Sequence, residues 1–159
     1  MSAAITIARA GEEDREWCAG LMADSEPWLT LGRTLEQSRR ICDLPDGELH
    51  VAHSASDRAG FILMFRRGVA GAPYIASIAV APDRRRSGIG STLVTFAEER
   101  FRGEARFIFL CVSSFNPRAR ALYERLGYRS VCDLTDHIVD GASETLMRKR
   151  LTPGGPPQT

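Results

Sequence analysis

Between Ile78 and Phe101 the chain reads IAVAPDRRRSGIGSTLVTFAEERF, with Arg84, Arg85, Arg86, Gly88 and Gly90 crowded between an apolar run and an amphipathic one. That grouping suits an anion. The N–H groups of a helix's first turn lack intrahelical partners, and the helix macrodipole adds roughly half a positive charge at the same place. Gly88 and Gly90 let a ligand approach the backbone, and forked arginine donors match the oxygens of a diphosphate better than a lone carboxylate. The plain alternative is a solvated basic turn. A P-loop is excluded because no Gly-Lys-Ser/Thr ending follows, and the dinucleotide fingerprint fails because Leu93 stands where a third glycine or alanine is needed. A nucleic-acid surface would need interleaved aromatics or a wider basic face around this turn, so nucleic acid is not an expected partner.

The elements that must hold this turn can be read from periodicity. Ile78–Ala81 ends a strand, and Ile89, Leu93, Phe96, Ala97 and Phe101 follow a 3.6-residue period on the helix after it. Upstream, Ile5–Arg9 alternates like a strand, Gly11–Met22 has helical spacing, and Thr34 with Gln37 forms a capping box for a second helix. Strand-like segments follow at Glu48–Ser54, Ala59–Arg66 and Tyr74–Ala81, the last two joined by a Gly-rich turn, Arg66–Pro73. Arg106–Val112 is continuously apolar, as expected of a strand buried on both faces. A further helix opens with Asn116 as N-cap and Pro117 at its first position and closes at Gly127. Tyr128–Ile138 and Thr145–Leu151 read as closing strands, and residues 152–159 as a disordered tail after a single domain, 1–151.

Composition limits the partners. The chain has 159 residues, with 21 Lys plus Arg against 20 Asp plus Glu, so a global pull toward polyanions or anionic lipid is absent and any basic site must be local. Four dispersed cysteines give neither a zinc spacing nor a disulfide framework. His50 and His53 fall on opposite faces of a strand, which argues against a metal site. With no signal peptide and no run of about 20 apolar residues, a cytoplasmic location without membrane contact is expected.

RRSGIG, Arg85–Gly90, resembles the Arg/Gln-x-x-Gly-x-Gly/Ala signature of the GCN5-related N-acetyltransferase (GNAT) family, and the preceding SIAVAPDR resembles that family's signature strand. SSFNPRARALYERLGY is similar to its second strand-helix unit, and DHIVDGASETLMRKRL to its closing hairpin. The resemblance implies an α/β fold: a central, mixed, strongly twisted sheet of about seven strands flanked by about four helices. It implies acetyl-CoA as cosubstrate and transfer of its acetyl group to a primary amine, small-molecule or peptide, by direct attack in a ternary complex. A non-catalytic acyl-CoA-binding module is the alternative, and a homodimer formed through the closing strands is also implied.

By the same resemblance the pantetheine arm pairs with main-chain groups of Ile78, Ala79 and Val80, and the diphosphate rests on N–H groups of Arg85, Arg86, Ser87, Gly88, Ile89, Gly90 and Ser91. Asn116 reaches the pantetheine, Arg120 the nucleotide end, and Tyr123 is the general acid to the departing thiolate. Its alternative role is core, because it shares an apolar face with Ala119, Leu122 and Leu126. Many members carry a strand glutamate as base, but Ala76 and Ser77 occupy those positions here, leaving a water route to Asp136, His137 or Glu144, or none of them. Ser77 and Trp28 are expected near the acceptor, Trp28 either as a lip or as a core plug.

Overall fold

The computed structural model describes residues 3–152; the tail expected at 152–159 lies outside the described residues from 153 onward. Among the described residues seven strands form one mixed sheet in the order β1-β2-β3-β4-β5-β7-β6. They are β1 (Ile5–Arg9), β2 (Gly47–Ser54), β3 (Asp57–Val69), β4 (Ala72–Val80), β5 (Phe107–Ser113), β6 (Arg129–Thr135) and β7 (Ser143–Arg150). Among the same described residues four α-helices accompany them: α1 (Glu12–Ala23), α2 (Leu35–Cys42), α3 (Ile89–Phe101) and α4 (Pro117–Arg125). The expected α/β architecture is the one observed.

Local chemistry explains the boundaries. Thr34 and Gln37 cap α2 reciprocally, at 3.1 and 2.9 Å. Asn116 caps α4 with Pro117 behind it, and Gly127 takes φ +96° just beyond the helix. The hairpin between β3 and β4 is tighter than expected: Ala70 and Gly71 adopt φ +50° and +79°, the left-handed pair that matches strand twist in a two-residue turn, and β3 continues to Val69.

Two cores lie on opposite faces of the sheet. α3 and α4 cover one built on Ile62, Met64, Ile75, Leu93, Phe101, Ile108, Leu110 and Met147. α1 and α2 cover the other, with Trp28, Leu49, Val51, Phe61, Leu63 and Ala79. Because that second pair of helices packs over β2 to β4, the same face of β5 is left partly open. Phe107 and Cys111 are half-buried there, which corrects the expectation that β5 is buried on both sides.

Candidate active site

β4 and β5 run parallel but pair only at Tyr74–Phe109 and Ile75–Leu110, after which they part. At the parting, β4 carries a bulge: Leu63 of β3 faces Ser77 while Met64 faces Ile75, so Ala76 is the extra residue. The bulge inverts the strand's faces. Ile75 points to the α3–α4 core, yet beyond Ala76 it is Ile78 and Val80 that do, while Ala76 and Ala79 pack on the α1–α2 core.

Past the bulge the β4 edge facing β5 has no strand partner among the described residues. The Ala81 N–H donates to the Ala59 carbonyl at 2.9 Å, and main-chain groups alternate in direction along a strand, so those of Ala79 also point to β3 while those of Ile78 and Val80 point into the gap. This corrects one expectation. Ala79 is engaged by β3, and only Ile78 and Val80 offer an N–H and a carbonyl to a ligand. The Val80 carbonyl already receives the Arg85 Nε–H at 3.3 Å.

The strand leads through a short 3₁₀ turn, Pro82–Arg84, to α3. Arg84 is held by Asp57 and Asp83, and the Ser87 hydroxyl donates to its carbonyl. Arg86 at φ +64° and Gly88 at φ +80° curl the main chain, and Gly88 is the N-cap of α3 without a side-chain cap. Thr92 is the first residue of α3 to donate back, to Gly88, which leaves the N–H groups of Ile89, Gly90 and Ser91 directed out of the helix. The Ile89 side chain is buried, so at this position only the main chain faces outward. A Cβ built on Gly90 would stand 3.5 Å from Leu122 and 3.9 Å from Val80, in the space between the end of β4 and α4.

A cavity of about 280 Å³ opens where β4 and β5 diverge. Asn116, Ala119 and Tyr123 of the α4 unit line one side, Trp28 and Arg33 before α2 another, and Ser77, Cys111, His137 and Glu144 complete it. Tyr123 is 6% exposed and packs edge-on to Tyr128, so it is both core and cavity wall. Burial pushes its phenol up to about 12, which keeps the proton in place through neutral and mildly alkaline conditions. The Trp28 indole is likewise both things: 5% exposed and stacked on Phe61 at 6.5 Å, with an edge on the cavity. Asn116 accepts the Ala119 N–H through Oδ1, leaving its amide N–H₂ free to turn to the cavity.

Arg120 departs from expectation. Its guanidinium donates to Glu124 at 3.0 Å, to Ser130 at 3.1 Å and to Thr145 at 3.3 Å, which pins α4 to β6 and β7. It does not line the cavity, and we read it as a structural tie. Arg120→Ala is expected to lower stability by about 1–2 kcal/mol for the lost charge-assisted bonds while leaving acetyl-CoA affinity within twofold, measurable by denaturant melts and calorimetry.

The carboxylates around the closing hairpin separate clearly. Asp136 is exposed and accepts the Gly141 N–H at 2.7 Å. Glu144, by contrast, is 6% exposed and faces the cavity, and among the described residues its side chain has one partner, the Ser113 hydroxyl, and no cation. Its carboxylate is close enough to Tyr74 and Cys111 to push both groups up, although burial is the larger cause in each. Sequence periodicity gives no sign of this, because the register that lays Glu144 beside Ser113 is a tertiary fact.

A family model for the acetyltransferase (GNAT) family matches residues 13–128. The chain belongs to the GNAT acetyltransferase family. An N-alpha-acetyltransferase of Saccharolobus solfataricus is 35% identical over 80 residues, 49% of this chain and 48% of that one, so the match spans about half the length of the curated relative. Among solved structures, Ard1 from Thermoplasma volcanium superimposes with a TM-score of 0.79 at 22% identity, covering 95% of this chain and 100% of that one. NAA60 of Arabidopsis thaliana, solved with acetyl-CoA, gives 0.75 at 19% identity over 92% and 98%. At such identities these two establish the GNAT fold for the chain.

Proposed function

We propose that this GNAT protein transfers an acetyl group from acetyl-CoA to an amine, and that the β4–β5 gap is where the two substrates meet. The observation that carries the reading is the unpaired β4 edge leading from the exposed N–H groups of α3 to a cavity with a protonated phenol on one side and a buried carboxylate on the other. The acetyl-CoA bound by the Arabidopsis relative is the ligand these features fit: an extended amide-bearing arm for Ile78 and Val80, and a diphosphate for the turn from Arg85 to Ser91. Bound there, acetyl-CoA supplies an acyl group already activated as a thioester.

The chain's own residues do the rest. Ile78 and Val80 hold the arm as an added strand, Asn116 steadies it, and Arg85 and Arg86 flank the diphosphate. The Val80 N–H, directed into the gap, is placed to polarise a carbonyl oxygen, a contribution of about 3 kcal/mol for such a donor. Glu144 accepts a proton from the incoming ammonium and passes it to solvent, and the Ser113 hydroxyl fixes the carboxylate's orientation. Tyr123 gives its phenolic proton to the departing sulfur and is reprotonated by the second proton that leaves nitrogen. Thus Glu144 takes over, from β7, the work for which Ala76 and Ser77 of β4 have no suitable group. Attack is direct, since burial raises the Cys111 thiol and keeps it protonated rather than nucleophilic.

Mass spectrometry of a panel of small amines and amino-terminal peptides incubated with protein and acetyl-CoA tests the proposal, with a gain of one acetyl group on nitrogen expected. Binding of acetyl-CoA with no acetylated amine in any class supports the non-catalytic alternative. Gly88→Ala probes the diphosphate site separately. At φ +80° a Cβ is strained, so the turn that aims the Ile89, Gly90 and Ser91 N–H groups should shift, and acetyl-CoA affinity should fall about tenfold or more by calorimetry.

A further inference from the structure

The open face of β5, β7 and β6 carries a charge pattern that the transfer chemistry does not use. Strand register places Ser113, Cys111, Phe109 and Phe107 of β5 beside Glu144, Leu146, Arg148 and Arg150 of β7, and Arg129 of β6 beside Arg148. Cross-strand neighbours share a face, so these residues form one continuous track. It begins inside the cavity, whose wall includes Glu144, Cys111 and Tyr74, and it runs out over half-buried Leu146 and Phe107. Among the described residues no helix covers this stretch, since α1 and α2 pack over β2 to β4.

At its far end the track is strongly basic. Arg148 and Arg150 both lie over the Phe107 ring, at 4.1 and 4.8 Å, and Arg129 faces Arg148 directly across the strands. Among the described residues none of these three arginines has a carboxylate partner. Like charges directly opposite each other in a sheet oppose folding, and here no neighbouring acid relieves them. An anionic partner would.

We infer that the amine acceptor is the terminus of a polypeptide whose chain lies along this track, with acidic side chains several residues from the reacting amine held by Arg129, Arg148 and Arg150. The inference rests on the amine-acceptor reading above and names its substrate class. A strand rises about 3.4 Å per residue, which puts Arg148 about 14 Å and Arg150 about 20 Å from Glu144. An extended peptide covers those spans in about four to six residues, so Asp or Glu at roughly positions five to seven meets the arginines when the first nitrogen is at Glu144. The track's polarity agrees with this: a carboxylate where the ammonium must dock, guanidinium groups where the acids arrive.

Three peptides with a common free amino-terminal segment and Asp/Glu, Ala/Ser or Lys at positions five to seven test it, alongside the charge reversal R148E/R150E. Both substituted positions are exposed, and the variant's melting temperature confirms its fold. With wild type in low salt, the acidic peptide should show a KM about tenfold below the neutral one, with kcat unchanged and the preference fading as salt rises. The variant should favour the Lys peptide. Equal KM values for the three peptides, or an acidic preference that survives the charge reversal, overturn the inference. So does a short polyphosphate or oligonucleotide that binds this face while the peptide preferences stay flat, or a dimer abolished by the variant with no change in KM. Acetylation of small amines with no peptide turned over leaves the acetyl-transfer reading in place and overturns this one alone.

Discussion

Tyr123→Phe is expected to lower kcat by about 10²- to 10⁴-fold while acetyl-CoA affinity stays within twofold, the range associated with losing a positioned general acid. The effect is a loss of chemistry and not of folding. Among the described residues the Tyr123 hydroxyl has no hydrogen-bond partner, and the ring, which the phenylalanine keeps, makes the core contacts with Tyr128. Removing a hydroxyl that faces the cavity and has no protein partner is close to neutral for stability. Because burial raises this phenol to about 12, it is still protonated where an ordinary tyrosine has begun to ionise, so wild-type turnover should not fall between pH 8 and about pH 10 through loss of this acid. Steady-state kinetics with calorimetry on the same preparation checks both halves. Unchanged kcat assigns Tyr123 to the core alone.

Glu144→Gln is expected to be nearly as damaging, with kcat/KM down about 10²-fold at neutral pH. Glutamine matches the glutamate in shape and can still accept the Ser113 hydroxyl, so the wall of the cavity should keep its form. Two things are lost together: the buried negative charge that draws an ammonium into the site and the acceptor for its proton. A carboxylate on the cavity wall with no cation beside it is a favourable docking point for a cationic substrate. The sign of the pH effect follows. Without Glu144 the amine must lose its proton unaided, so the variant's rate should climb steeply with pH toward the amine's own pKa, and the gap to wild type should narrow. A gap of the same size at every pH would point to a structural role instead.

The helix ends of this site are legible in the sequence because their signals are local. Thr34 with Gln37, Asn116 with Pro117, and Gly88 before the Ile89–Phe101 periodicity each act within a few residues, and the structure places caps at all three. The β4 bulge is not legible. Pro73, Ile75, Ser77 and Ala79 are all buried in strict alternation, yet Ala76 turns the strand over between them, a change that only the pairing with β3 reveals. That hidden inversion is also why Ala79 could not be separated from Ile78 and Val80 by pattern alone.

Long-range placement accounts for the other differences. Arg120 lies one turn beyond Asn116, a spacing that fits a ligand contact or a tie to β6 and β7 equally well, and the tie becomes visible only in the packed sheet. Asp136 and Glu144 look alike in a polar closing hairpin, but the first is a turn cap and the second a cavity wall. The apolar run Phe107–Val112 suggests a strand covered on both sides, whereas cover depends on how far α1 and α2 reach across the sheet.

The account depends most on the unpaired edge of β4 receiving acetyl-CoA, and residue-resolved amide exchange by NMR tests that directly. In the free protein the Ile78 and Val80 N–H groups, which face the gap, should exchange quickly, while that of Ala79, bonded toward β3, should be protected. Addition of acetyl-CoA should slow Ile78 and Val80 about tenfold or more and leave Ala79 as it was. Saturating acetyl-CoA that leaves Ile78 and Val80 exchanging at their original rates would contradict the account.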